Sequence, residues 1–135
     1  MVDRNGIPLA CVTSAANVND CKVLEEVIDA IPPVYNGKPE APRFRPDKLH
    51  ADKGYDFDFC RDLLHKRGIV PRIARRGIES KDRLSRHRWV VERTHAWLNK
   101  YRRLRIRYEI RDDIHWAFLE IGCALICFRA LTRLC

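Results

Sequence analysis

No Cys-x-x-Cys pair occurs in this chain, although it holds six cysteines, at positions 11, 21, 60, 123, 127 and 135. The absence removes the usual spacing of a structural zinc site. His50, His87 and His95 are scattered with no zinc spacing either, and read as structural or partner-facing histidines rather than metal ligands. Cys123 and Cys127 fall inside an apolar run, where a thiol behaves as a small hydrophobe. No signal peptide opens the chain, so reduced thiols in a cytoplasmic setting are the expectation. Long hydrophobic runs are missing too. The longest, positions 116–128, contains Glu120 and spans thirteen residues. That falls short of the roughly 20 needed to cross a bilayer, so a core helix and no membrane contact are expected. Internal repeats are absent.

What is present is a basic, foldable chain of 135 residues, 46% apolar, with a formal charge of +8. That length fits one domain and buries a real core. The charge is concentrated. Positions 75–107 carry twelve Lys and Arg against Glu79, Asp82 and Glu92, an excess of nine that leaves the rest of the chain near −1. A concentrated basic segment suits a polyanion, because phosphate contacts release condensed counterions; a merely soluble basic surface is the alternative.

The pattern of elements is that of an α/β layered domain. Asp3-Arg4-Asn5-Gly6 holds an Asn-Gly hairpin signal, with residues 9–14 as the second arm. Only Met1 and Val2 precede the turn, so truncation at the amino end is expected. Asn19 or Asp20 caps a helix to about residue 31, with Val23, Leu24, Val27, Ile28 and Ile31 as its apolar stripe and Pro32-Pro33 as its stop. Residues 34–46 read as a loop. A short strand over 48–51 ends at Asp52, Lys53-Gly54 turns the chain, and Asp56 caps a helix to about 67 with Gly68 closing it. Residues 69–74 form a second strand, with Pro71 hinting at an edge. A basic loop leads to a long helix over about 82–104, and a last helix covers about 113–131.

Two acids stand out. Asp52 ends a strand, the place where ligands gather in open α/β sheets, although an Asp before a turn also serves simply as a cap. On the long helix, Val90, Trp97, Tyr101 and Leu104 share one face, while Arg88, Glu92, His95 and Asn99 share the other. Glu92 is thus outside the apolar stripe, and an Arg88–Glu92 surface pair is the plain reading. Trp89, Trp97 and Trp116 fit core positions better than base-stacking platforms.

Taken together, Ala51-Asp52-Lys53-Gly54-Tyr55-Asp56 and, 40 residues after Asp52, Arg88-Trp89-Val90-Val91-Glu92-Arg93-Thr94 resemble the second and third catalytic blocks of the DDE transposases of bacterial insertion sequences. Val2-Asp3-Arg4-Asn5-Gly6-Ile7-Pro8-Leu9 and Ala16-Asn17-Val18-Asn19-Asp20 resemble that family's hairpin and following helix start. The resemblance implies a ribonuclease-H-like fold, a mixed sheet flanked by helices, here N-terminally truncated. Residues 1–135 would then be a partial catalytic domain without the first catalytic strand.

By the same resemblance Asp52 would be the second metal-binding aspartate and Glu92 the third carboxylate, holding Mg²⁺ or Mn²⁺, two ions in an intact site. Such ions stabilise the attacking and leaving oxygens of phosphodiester cleavage and strand transfer at element ends. Arg88 matches the arginine of the family signature. Ser85 stands where the family has tyrosine, and Asn99 where it has lysine, with Lys100 one position off. The first aspartate has no counterpart, since Asp3 belongs to the turn. Arg75, Arg76, Lys81, Arg83, Arg86 and Arg88, with Lys100 and Arg103, are the candidates for tracking DNA phosphates. DNA is the expected partner, with an upstream transposase fragment and a homo-oligomer as further ones. A non-catalytic DNA-binding or transposase-associated fragment is the other reading.

Overall fold

The computed structural model describes residues 1–35, 41–77 and 81–132, with residues 81–88 described by backbone alone. In order, the elements are α1 (Leu24–Asp29), β1 (Lys48–Ala51), α2 (Asp58–Lys66), β2 (Val70–Ile73), α3 (Lys81–Leu98), α4 (Arg102–Arg105) and α5 (Asp112–Leu131). They divide into two compact units: Ala10–Arg88, and Met1–Leu9 with Trp89–Cys135.

The first unit is a β-α-β arrangement. β1 and β2 pair in parallel, with Leu49 opposite Pro71 and Ala51 opposite Ile73. Parallel neighbours need a crossover, which α2 supplies. Cys60 and Leu64, one helical turn apart on α2, are fully buried with Ile69, and Leu49, Ile73 and Ala74 join them in the core. A 3₁₀ turn, Asp20–Val23, leads into α1, and Asn19 caps it by accepting the Cys21 N–H at 3.2 Å. Leu24, Ile28 and Ile31 bury the expected stripe. Gly68 closes α2 at φ +65°, a left-handed position that glycine adopts without cost. The Arg67 guanidinium pairs with Asp29 and, at 2.7 Å, with Glu25, tying the end of α2 to α1.

In the other unit a hairpin is built on Asp3, whose Oδ1 accepts the Asn5 and Ile7 N–H groups at 2.8 and 2.7 Å. Gly6 takes φ +78°, and Val2 bridges Pro8 in antiparallel fashion. The α3 residues Val90 and Thr94 are buried. Gly122 of α5 lets the side chains of Leu98, Tyr101 and Leu104 approach closely: a Cβ there would lie 2.8 Å from Leu104 Cδ1.

Several expectations are corrected. Residues 9–14 form no second strand. Phe57 takes the N-cap position of α2 without a side-chain cap bond, and Asp56 instead pairs with Arg61 at 2.5 Å. The long helix stops at Leu98, because the chain turns at 99–101 before α4. Trp89 is about half exposed, its ring covered by the Arg93 guanidinium at 4.5 Å, with Trp97 at 4.9 Å from the same cation. α5 is not a core helix: only Gly122 and Ile126 are buried, and its 20 residues are long and apolar enough by composition to cross a bilayer.

Candidate functional site

Asp52 follows directly on β1 and caps the 3₁₀ turn Lys53–Tyr55. Its Oδ1 accepts the Gly54 N–H at 2.8 Å, which fixes the carboxylate over the turn. Gly54 leaves room for this: an added Cβ would stand 2.9 Å from that oxygen and the carboxylate would have to shift. The carboxylate is exposed to solvent. It therefore does what a turn cap does, and at the same time presents an anion at the carboxyl end of a parallel pair.

The turn is laced to the segment after β2. The Arg76 N–H donates to Asp56 Oδ2 at 2.8 Å, and Arg76 Nε donates to the Lys53 carbonyl at 3.1 Å. The Arg76 guanidinium also lies 4.8 Å from the Phe57 ring centre. Arg61 reaches from α2 to Asp56 and to the Ile73 carbonyl at 3.3 Å. The Arg76 amide and the Arg61 guanidinium hold the Asp56 carboxyl below its ordinary pKa. Tyr55 is pushed up to about 12 by burial, with Asp20 and Asp52 adding to the effect.

Glu92 is exposed on α3, as its helical phase requires, beside buried Thr94. The two residues after it anchor the hairpin. The Thr94 hydroxyl donates to the Gly6 carbonyl at 2.6 Å, and Arg93 Nη2 donates to the Asn5 carbonyl. These contacts join positions 88 residues apart in sequence. Arg93 and Thr94 stood in the quoted motif, but pattern reading gave them no part in holding the hairpin.

Asp52 belongs to the first unit and Glu92 to the other. Among the described residues, no group of three or more His, Cys, Asp or Glu is placed to hold a metal ion. The carboxylate chemistry suits a hard divalent cation, but two such groups do not make a complete centre.

The basic candidates differ in their surroundings. Arg75 is exposed just past β2, whereas Arg76 is committed to the Asp52 turn. The side chains of Lys81, Arg83, Arg86 and Arg88 lie outside the described residues; their backbone forms the start of α3. Lys100 is exposed in the turn after α3, so the helical phase that separated it from Asn99 does not apply. Arg103 pairs with Glu109, whose side chain is 95% buried, and lies 5.0 Å from the Phe118 ring. No disulfide joins the described cysteines.

A strand-end aspartate, an exposed helix glutamate and a basic segment between and around them are the features the structure offers. Comparison with known proteins gives the family. The family model of the transposase DDE domain matches residues 1–127, and the chain belongs to that family. It is 53% identical over 133 residues to the "Putative transposase for insertion sequence element IS402" of Burkholderia cepacia. That match covers 98% of this chain and 63% of the relative's length. No solved structure matches the chain.

Proposed function

We propose that this chain contributes part of a ribonuclease-H-like transposase catalytic domain, within which Asp52 and Glu92 act as two of three acids for metal-dependent cleavage and strand transfer at insertion-sequence ends. Membership of the DDE family supports the reading, and one observation carries it: an exposed carboxylate held by the Gly54 amide at the carboxyl end of β1. Mg²⁺ or Mn²⁺ would be the ions, and cytoplasmic DNA the substrate. By itself the chain is expected to bind DNA in a salt-sensitive way and to show little Mg²⁺-dependent cleavage. The second reading is a non-catalytic DNA-binding or transposase-associated fragment.

Salt titration of duplex binding, read by fluorescence anisotropy, tests the DNA contact. Affinity should fall steeply with salt, and Arg75→Ala should reduce the slope of log K against log salt by about one. Nicking of element-end DNA in Mg²⁺ decides between the readings. Cleavage that appears only with a complementing polypeptide, and is lost on Asp52→Asn or Glu92→Gln, supports the catalytic role. Cleavage indifferent to both substitutions removes it.

A further inference from the structure

Between Glu92 and Glu109 the sequence holds six Lys and Arg, at 93, 100, 102, 103, 105 and 107, and no acid. The fold sorts them into two groups. Arg93 is committed to the Asn5 carbonyl and to the rings of Trp89 and Trp97. Arg103 pairs with Glu109, and Arg107 pairs with Asp112 while its Nε donates to the Glu109 carbonyl at 3.0 Å. These cations hold the hairpin and the loop between α4 and α5. Lys100, Arg102 and Arg105 are exposed, and among the described residues no carboxylate pairs with them.

Arg102 and Arg105 stand at i and i+3 on α4, a spacing that puts them on one face about 5–6 Å apart at Cβ. Lys100 precedes them in the turn after α3. The Arg102 guanidinium lies 5.8 Å from the Tyr108 ring centre. Stacking of this kind restrains a long side chain and still leaves its edge N–H groups to donate. A solubilising surface mixes both signs. Here the acids that follow, Glu109, Asp112 and Asp113, are taken by Arg103, Arg107 and Arg111, so the three cations are left as a patch of one sign. Such a patch repels itself and fits a polyanion.

Two polyanions compete for it. An anionic lipid surface is the rival, because α5 is long and apolar enough to cross a bilayer. Yet Asp112 and Asp113 open that helix and Glu120 lies exposed within it, charges that a bilayer penalises. A duplex instead offers closely spaced phosphates, and the chain belongs to a transposase family.

We propose that Lys100, Arg102 and Arg105 form a phosphate-contact surface for duplex DNA, in the unit that also carries Glu92. The proposal rests on the functional reading above and adds Arg102 and Arg105 to its DNA contacts, while Arg103 positions the loop. Contacts to phosphate read no base edges, so this surface fixes where the duplex lies and leaves sequence choice to other residues.

The test measures binding of a fluorescein-labelled duplex of mixed sequence by anisotropy across a salt series. Each phosphate contact contributes about one to the slope of log K against log salt. Arg102→Gln with Arg105→Gln should therefore reduce the slope by about two, and adding Lys100→Gln by about three. Arg129→Gln, which removes a charge near the far end of α5, should leave it unchanged. Melting temperatures should change little, because the three side chains are exposed and glutamine keeps most of each stem. In the parent chain, bound duplex should shield Arg102 and Arg105 from phenylglyoxal, a readout that needs no variant. A slope unmoved by the triple substitution, or reduced equally by Arg129→Gln, overturns the proposal and leaves the functional reading standing. So does an unmoved slope with loss of pelleting on phosphatidylglycerol vesicles, which assigns the patch to lipid. A parent chain that binds no duplex overturns both.

Discussion

Replacing Thr94 by valine removes one hydroxyl while keeping a β-branched side chain of nearly the same shape. The hydroxyl donates to the Gly6 carbonyl at 2.6 Å, and Thr94 is only 3% exposed. The variant therefore leaves a carbonyl facing an apolar methyl in a buried place. A net hydrogen bond contributes about 1 kcal/mol, and an unsatisfied buried acceptor costs about 1–3 kcal/mol, so a loss of about 2 kcal/mol is expected. For a domain of this size that corresponds to a fall in Tm of about 5–10 °C. Trp89, Trp97 and Trp116 all lie in the unit that holds this contact, so tryptophan fluorescence during urea unfolding follows it selectively. Thr94→Ser, which keeps the donor, should retain most of the stability. A Thr94→Val midpoint within about 0.3 kcal/mol of the parent would show that the hydroxyl does not hold the hairpin to α3, and the argument would fail.

Gly6→Ala should destabilise the same unit by about 1–2 kcal/mol in the same fluorescence assay, since φ is +78° and the new methyl would stand 3.0 Å from Thr94 Oγ1. Asp56 has a depressed folded-state pKa, so its contribution to stability is complete above the usual unfolded aspartate value near 4 and disappears as pH falls through the lower folded value. Asp56→Asn should make the acid limb of an unfolding curve shallower. Tyr55 behaves oppositely: its contribution is complete below about 10 and is lost as pH rises towards about 12. Tyr55→Phe should flatten the alkaline limb, and tyrosinate absorbance should show one phenol titrating late. Arg67→Met breaks pairs whose carboxylates are largely exposed, and chemical denaturation should register only a small loss of stability that shrinks in high salt.

The parts of the fold that could be read from sequence are those fixed by local chemistry. Asn5-Gly6 gave the hairpin turn, Asn19 the cap, Pro32-Pro33 the stop after α1, and Gly68 the left-handed end of α2. Asp52 at a strand end and Glu92 off the apolar stripe were legible for the same reason, being matters of position and phase. What escaped depends on distant partners. Asp56 looks like a helix cap until Arg61 and Arg76 compete for its oxygens. Thr94 looks unremarkable until Gly6 arrives from 88 residues away. The end of α3 at Leu98 has no glycine or proline to announce it. α5 was misjudged because an apolar run reveals how much a helix wants covering, and not whether neighbours in the chain provide the cover.

The lacing of Arg76 into the Asp52 turn changes how an alanine scan of the basic residues should be interpreted. Arg76 offers its amide to Asp56, its Nε to Lys53 and its guanidinium plane to Phe57. Truncating it withdraws a positive charge and also loosens the clasp beside a candidate acid. A defect at this position therefore mixes two causes, whereas one at Arg75 reports charge alone. Lysine at 76 separates them: it keeps the electrostatics but cannot reproduce the planar stacking, so any deficit that persists measures architecture rather than attraction to DNA.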